Sequence, residues 1–316
     1  MNYKLKVIIP CYNEQEVIET TNTTLLAILD RLVLSGRVTE DSGLVYVDDG
    51  SKDDTWNIIC RLHEDDDRVE GVKLSANYGH QNALLAGMEA CRDDADMMVT
   101  IDADLQDDPE AIVAMVNKYI DDDCDIVYGV RRKRQKDTWF KRTSAQLFYK
   151  AMNHLGVRTV YNHADFRLMS RRAVEMLLGY DERNIFLRGI VPLIGLRSDT
   201  VEYDRRERQA GETKYPLRKM VDFAADGITS FSVKPVRMVL GAGFIFVGVS
   251  LLILLYVICS FLFGSTSPGW ASLLLSIWFV GGVILIALGV IGEYMAKVYL
   301  EVKHRPRYHV DFKLTS

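Results

Sequence analysis

The chain has little of what most readily signals a metal or a redox cofactor. Its five cysteines, Cys11, Cys60, Cys91, Cys124 and Cys259, are scattered without metal-binding spacing. They read as small core or lipid-facing residues in a reducing compartment. No strand end carries Gly-x-Gly-x-x-Gly and no Walker phosphate loop occurs, which argues against a dinucleotide oxidoreductase and a loop-type NTPase. Gly241-Ala-Gly243 lies inside a long apolar run and reads as an aid to helix packing. There is no internal repeat and no low-complexity linker. A cleavable leader is not expected either, because Met1-Asn-Tyr-Lys4 runs directly into Leu5-Lys-Val-Ile-Ile-Pro10. The net charge of −5 is unevenly spread, acidic up to Asp125 and densely basic over 131–150. No nucleic-acid partner is expected.

Apolar sequence, by contrast, is plentiful. Residues 238–263 and 271–291 are almost free of charge, and each exceeds the roughly 20 residues that cross a bilayer as a helix. The turn formers Gly264-Ser-Thr-Ser-Pro-Gly269 separate them. Lys234 and Arg237 precede the first run, while Lys297, Lys303, Arg305 and Arg307 follow the second. By the positive-inside rule both outer ends and the soluble part face the cytoplasm. The alternative, a pair of buried core helices, is hard to accommodate in 316 residues. Just upstream, Leu217, Met220, Val221, Ala224, Ile228 and Phe231 recur at helical spacing, as expected of a helix lying in the headgroup plane rather than an ordinary surface helix. The expected organisation is a cytoplasmic catalytic domain over 1–213, an interfacial helix over 214–235, a transmembrane hairpin over 236–297 and a cytoplasmic tail over 298–316. The organisation predicts a multi-pass protein of a cytoplasmic membrane.

Through the first half, apolar runs at 6–9, 44–47, 69–74, 97–101 and 126–130 alternate with amphipathic stretches at 14–34, 54–64, 81–91 and 109–120. Strand–helix alternation with unbroken apolar strands predicts an α/β fold with a mostly parallel sheet covered on both faces.

The most informative tract is Val99-Thr-Ile-Asp-Ala-Asp-Leu-Gln-Asp-Asp-Pro-Glu110. It reads as a buried strand ending in two carboxylates, Asp102 and Asp104, followed by a helix start. A bend at the strand end lets both acids approach one hard divalent ion, Mg2+ or Mn2+, whose remaining positions substrate phosphates complete. Two other strand ends open onto the same edge: Ile9-Pro-Cys-Tyr-Asn-Glu14 and Val47-Asp-Asp-Gly-Ser-Lys-Asp-Asp54. Pro10 and Tyr12 are placed to flank a base, and Asp48 or Asp49 to accept hydrogen bonds from it or from ribose. Ser51, Asp53 and Asp54 fit a plain turn and helix cap. Paired acids beside an apolar strand are costly without a function.

Together these pieces resemble the family 2 glycosyltransferases with the GT-A fold, and within them the polyprenyl-phosphate hexosyltransferases, a group similar to dolichol-phosphate mannose synthase and the bactoprenol glucosyltransferases. The resemblance rests on Pro10-Cys-Tyr-Asn-Glu14, Asp48-Asp-Gly-Ser51, Asn77-Tyr-Gly-His-Gln-Asn-Ala83, Asp102-Ala-Asp-Leu-Gln-Asp-Asp-Pro109, Asp165-Phe-Arg-Leu168 and Arg208-Gln-Ala-Gly-Glu-Thr-Lys-Tyr215. It implies nucleotide contacts at Pro10, Tyr12, Glu14, Asp49 and Asp48, a metal at Asp102 and Asp104, and Gln106 near the diphosphate. Arg208 is expected to clamp the donor diphosphate or the acceptor. Arg131 and the Lys141-Arg142 pair are expected at the lipid phosphate. Relatives carry a serine four residues beyond their basic residue; here those places hold Ala145 and Gln146, with Ser144 as the substitute. Asp165 stands where relatives have a carboxylate proposed as base, or else orients a sugar hydroxyl or an arginine. Arg167 is expected to pair with an acid in the core, and His80 to start a helix near the base pocket. Arg132, Lys133, Arg134 and Lys136 fit a solvated or headgroup-facing patch, worth roughly 1 kcal/mol each near an anionic surface.

What the resemblance implies is inverting, metal-dependent transfer of a hexose to undecaprenyl phosphate for cell-envelope glycans, with glucose from UDP-glucose first among donors. N-acetylglucosamine, galactose, and mannose from GDP-mannose stay open, as does a non-catalytic lipid-binding scaffold of the same fold. A processive polysaccharide synthase is disfavoured by the absence of Gln-x-x-Arg-Trp and of further spans. Self-association is expected.

Overall fold

The structure, a computed structural model, describes residues 3–132, 163–183, 185–204, 234–262 and 269–315. These fall into two compact units: one holds everything up to 204 together with the segment from Arg305 onward, and the other holds the two long C-terminal helices.

In the first unit the five expected strands form as β1 (Leu5–Cys11), β2 (Gly43–Asp48), β3 (Val69–Leu74), β4 (Met97–Thr100) and β5 (Ile126–Arg131). β1 and β2 are buried along their whole length, which is why they read as continuous apolar runs instead of alternating ones. Lys6 is the exception inside β1, and its ammonium is matched by Glu70 at 2.6 Å and Asp94 at 3.5 Å, as a buried charge requires. Three further strands complete the sheet: β6 (His163–Ser170), β7 (Ser198–Tyr203) and β8 (Val310–Leu314). The order is β7-β5-β6-β4-β1-β2-β3-β8. β1 pairs in parallel with β2 and β4, β2 with β3, and β5 with β7, whereas β6 and β8 run antiparallel to their neighbours. The expected α/β class with a mostly parallel sheet is therefore what forms.

Helices α1 (Ile18–Leu34), α2 (Thr55–Asp65) and α4 (Ala111–Asp121) cover one face, where Ile28, Leu29, Ile59, Ile112 and Met115 join Val7, Ile9, Tyr46 and Val99 in one core. The opposite face receives α3 (His80–Cys91). It approaches so closely that a Cβ on Gly87 would lie 2.5 Å from Ile8 and 2.8 Å from Val47. Only glycine allows that helix to seat on the strands, and the seating sets where His80 points. α1 begins at Ile18 rather than at Glu14, because residues 14–17 fold as a turn in which Val17 and Ile18 donate to the Glu14 carbonyl at 3.1 and 3.2 Å. α5 (Arg171–Leu178) is capped by Ser170, whose Oγ accepts from the Ala173 amide at 3.1 Å. The short α6 (Leu187–Ile190) runs into a single 3-10 turn over Val191–Ile194.

The second unit consists of α7 (Lys234–Leu262) and α8 (Trp270–Val302), which pack against each other. They coincide with the two apolar runs, extended by several residues. Among the described residues the stretch long and apolar enough to cross a membrane is Phe279–Val302, and α7 contributes the shorter apolar stretch Val236–Ile245. Large apolar side chains such as Leu240, Phe244, Leu252, Leu285 and Leu288 are exposed along both helices.

The segment after α8, read from the sequence only as a tail, returns to the first unit. There β8 pairs with β3 and covers what would otherwise be an open sheet edge.

Candidate active site

β1 lies between β2 and β4, and the chain order reverses across it. Such a reversal opens a crevice at the carboxyl ends of parallel strands, where ligands dock in open α/β sheets. The residues following β1, β2 and β4 all arrive at this one edge.

The loops after β1 and β2 interlock. The Asn13 amide donates to Ser51 Oγ at 3.0 Å, Lys52 donates back to Asn13 Oδ1 at 2.8 Å, and Glu14 donates to Thr55 Oγ1 at 2.9 Å. Asn13 takes a positive φ of 57° to make this turn. The ring of Tyr12 is left 42% exposed, and Pro10 is buried within β1 opposite Val47. Asp53 accepts from the Thr55 amide at 3.1 Å and Asp54 from Asn57 Nδ2 at 2.6 Å, so both serve the start of α2.

Asp48 and Asp49 are both buried but differently engaged. Asp49 accepts the Tyr78 and Gly79 amides, one on each oxygen, at 2.7 and 2.9 Å. Burial raises its pKa, the two amides oppose the rise, and the Asp48 charge adds to it. Asp48 Oδ1 accepts from the Ser51 amide at 3.1 Å, while its Oδ2 has no hydrogen-bond partner among the described residues. Gly50 between them and the next loop has φ +70°, and a Cβ there would fall 2.5 Å from the Ala76 carbonyl carbon. The loop crossing therefore needs glycine on both counts.

A second cluster surrounds the end of β4. The Asp102 side chain sits in a recess that solvent still reaches, with 44% of its surface exposed. His80, the first residue of α3, places Nε2 3.5 Å from Asp102 Oδ1 and 3.9 Å from Asp165 Oδ2. Burial pushes the Asp102 carboxyl up to about 6; His80 pulls it down, and the charges of Asp165, Asp107 and Asp104 push it further up. Asp104 is held by Gln106, whose amide and Nε2 reach its two oxygens at 3.2 and 2.6 Å. Leu105 adopts φ +44° to make that tight return.

The oxygen-only chemistry of Asp102 and Asp104 fits a hard divalent cation. Among the described residues no group of three or more His, Cys, Asp or Glu side chains is placed to hold a metal ion, so the protein's share of such a site would be these two carboxylates. Two carboxylates with the remaining positions left for water and phosphate is how Mg2+ is usually held.

Three arginines order this acidic edge. Arg131, at the end of β5, donates Nε–H and Nη2–H to the two oxygens of Asp107 at 2.9 and 3.1 Å. Asp107 is only 2% exposed, so this fork pins the loop that carries Asp102 and Asp104. Arg167 is 1% exposed and donates to Asp165 Oδ1 at 2.7 Å, leaving its Nε and Nη1 without hydrogen-bond partners among the described residues. Arg188, from α6, donates to both Asp165 oxygens at 3.3 and 3.0 Å. Burial alone would raise the Asp165 pKa, yet Arg188 and Arg167 hold it well below the usual carboxylate range.

The fold thus gathers Tyr12, Glu14, Asp48, Asp49, Asp102, Asp104, Gln106, Arg131 and Asp165 along one sheet edge, with Pro10 just inside it. Arg208, Lys141, Arg142, Ser144 and residues 214–233 of the expected interfacial helix lie outside the described residues, and the last two of its expected residues, Lys234 and Pro235, begin α7. Sequence reasoning gave no role to Arg188, and read His80 as a helix start without its two acidic neighbours. Arg188 lies in no motif. The histidine's signal was its place in Asn77-Tyr-Gly-His-Gln, next to the glycine that opens α3.

Against known proteins, the Glycosyl transferase family 2 model matches residues 6–178. The chain is 49% identical over 310 residues to the uncharacterized glycosyltransferase YkoT of Bacillus subtilis (strain 168), covering 98% of this chain and 92% of that protein. It is 38% identical over 307 residues to the bactoprenol glucosyl transferase of Shigella phage SfV, covering 96% of this chain and 97% of the relative. It is 37% identical over 307 residues to the prophage bactoprenol glucosyl transferase homolog of Escherichia coli (strain K12), covering 96% and 97%. With a GT-A sheet beneath these strand-end acids and similarity to bactoprenol glucosyl transferases running almost end to end, the chain belongs to glycosyltransferase family 2.

Proposed function

We propose that this enzyme transfers a hexose, glucose from UDP-glucose first, to undecaprenyl phosphate with inversion, using Mg2+ or Mn2+ at Asp102 and Asp104. The observation that carries the reading is the gathering of Asp102, Asp104, Asp107 and Asp165 at the switch point, with His80 Nε2 3.5 Å from Asp102 Oδ1. Arginines balance Asp107 and Asp165, and a divalent cation arriving with the donor would balance Asp102 and Asp104. The near full-length similarity to bactoprenol glucosyl transferases supports the acceptor.

In this reading Tyr12 stacks on the base. Asp48 and Asp49 form the acidic floor beneath it, and Asp49 also fixes the Tyr78–Gly79 turn. Glu14 and Gln106 border the donor. Asp102 and Asp104 would hold a divalent ion, which would supply positive charge against the donor diphosphate. A phosphate monoester has its second pKa at about 6, so the acceptor is already largely ionised at neutral pH and needs no strong base. Its oxygen attacks the anomeric carbon in line, the new C–O bond forms, and the old one breaks with its electron pair leaving on UDP. Asp165, ionised and forked by arginines, serves this step by holding Arg188 and Arg167 in place. Arg131 steadies the metal-bearing loop through Asp107 and stands near the acceptor phosphate together with Lys141, Arg142 and Ser144; Arg208 clamps the diphosphate.

α7 and α8 form a transmembrane hairpin in the bacterial cytoplasmic membrane, with the 214–235 helix in the headgroup plane and the catalytic unit, as part of a homo-oligomer, cytoplasmic. Tethering the site beside a lipid headgroup raises the effective concentration of acceptor.

The test is incubation of purified protein with labelled UDP-glucose, UDP-N-acetylglucosamine, UDP-galactose or GDP-mannose and undecaprenyl phosphate. Label is expected in the organic phase with UDP-glucose, and Asp104→Ala should abolish its appearance while leaving membrane insertion intact. Donor binding without transfer in the wild type would instead mark a scaffold, and a fully active Asp104→Ala protein would remove the metal from the reaction.

A further inference from the structure

The segment after α8 does more than cover a sheet edge. Working back from β8, Phe312 meets Trp56 edge-to-face at 6.4 Å, and Lys73 lies 5.3 Å over the same indole. The His309 carbonyl accepts from the Ser75 amide at 3.0 Å, and the His309 ring stands 6.3 Å from that of Tyr78. Tyr308 hydrogen-bonds Glu89 near the far end of α3. Arg307, with a side chain only 11% exposed, donates to the main-chain carbonyls of Tyr180 and Glu182.

These contacts converge on one loop. Tyr78 is held from outside by the His309 ring and by Ser75 Oγ, which lies 2.9 Å from its hydroxyl. From inside, its backbone and that of Gly79 are held by Asp49. The next residue is His80, which faces Asp102 and Asp165.

We infer that residues 307–314 act as a strap that sets the position of the Tyr78–His80 turn, which makes His309 and Arg307 positioning residues for the donor site. His309 acts on the turn directly through Tyr78. Arg307 anchors the strap where the chain enters it, so that β8 docks in one register. The inference rests on reading the cleft as a nucleotide-sugar site, and it assigns no chemistry to either side chain.

The full-length protein and its Arg307→Ala, His309→Ala and His309→Phe variants test it, by amide hydrogen exchange over 75–82 and by donor kinetics at saturating undecaprenyl phosphate. An aromatic pair of this kind predicts about two- to tenfold faster exchange at the Tyr78 and Gly79 amides of His309→Ala, with a matching rise in the KM for UDP-glucose. The value of kcat should stay within about twofold, and His309→Phe should restore both readouts because it keeps the ring contact. Unaltered exchange in both alanine variants, or a fall in kcat without a change in KM, overturns the inference. Exchange is read without substrate, so a wild-type protein that transfers no sugar would sink the functional reading and leave this measurement standing.

Discussion

Arg188 forks Asp165, donating from Nε and Nη2 to its two oxygens at 3.3 and 3.0 Å. Arg167 donates to Oδ1 of the same carboxylate at 2.7 Å. A carboxylate between two guanidiniums is a poor proton acceptor and a good scaffold.

This arrangement has a signed pH dependence. The folded-state pKa of Asp165 is depressed, so its contribution to stability is present above the unfolded value of about 3.9 and is lost as pH falls below it. Asp165→Asn leaves Arg167 buried without its counter-charge, a loss of about 3–5 kcal/mol at neutral pH. Melting curves of wild type and variant should lie far apart at pH 7, and the gap should begin to narrow below about pH 4, closing only as pH falls through the depressed folded-state pKa. A gap that stays constant over that range would mean the carboxylate's charge is not what stabilises the site.

The Arg131–Asp107 fork distinguishes two roles for Arg131. If it steadies the loop of Asp102 and Asp104, Arg131→Met weakens Mn2+ binding by about 10–100-fold, the range usual for residues that support metal ligands. Titration of the purified protein with Mn2+, followed by electron paramagnetic resonance, measures this without turnover. Unchanged Mn2+ affinity with a raised KM for undecaprenyl phosphate would assign Arg131 to the acceptor alone.

The membrane assignment is open to a single substitution. Leu285 lies within Phe279–Val302 and is 69% exposed. Arginine at the centre of a spanning helix costs about 2.5–3.5 kcal/mol on insertion scales. Leu285→Arg is expected to shift protein from the carbonate-resistant membrane fraction toward the soluble or aggregated one. Full retention in that fraction would count against a bilayer-spanning α8.

Five of the eight strands were legible because each is a short apolar run buried on both faces. β6 was not, since Asp165 and Arg167 alternate on one face and break its apolar pattern; their mutual charge pairing is what lets them be buried. β7, as Ser-Asp-Thr-Val-Glu-Tyr, is an edge strand with mostly solvated side chains. β8 carries a strand-like alternation, but its pairing partner β3 lies near the other end of the chain. The same contrast holds in the site. Asp102 and Asp104 stood out because acids at the end of an apolar strand are locally anomalous, whereas Arg188 sits in a segment with no anomaly to notice.

By itself the sequence determined where five of the eight strands, the helices between them and the long apolar runs occur, and that paired acids close two of the strands. Those features follow from local hydropathy period and from the cost of burying charge. Only the tertiary structure decided that His80 would face Asp102 and Asp165, that Arg188 would grip Asp165, and that the C-terminal strand would reach the Tyr78 turn. Each of these is a meeting of segments far apart in the chain, set by the order and direction of strands in the sheet, and local periodicity carries no record of that order.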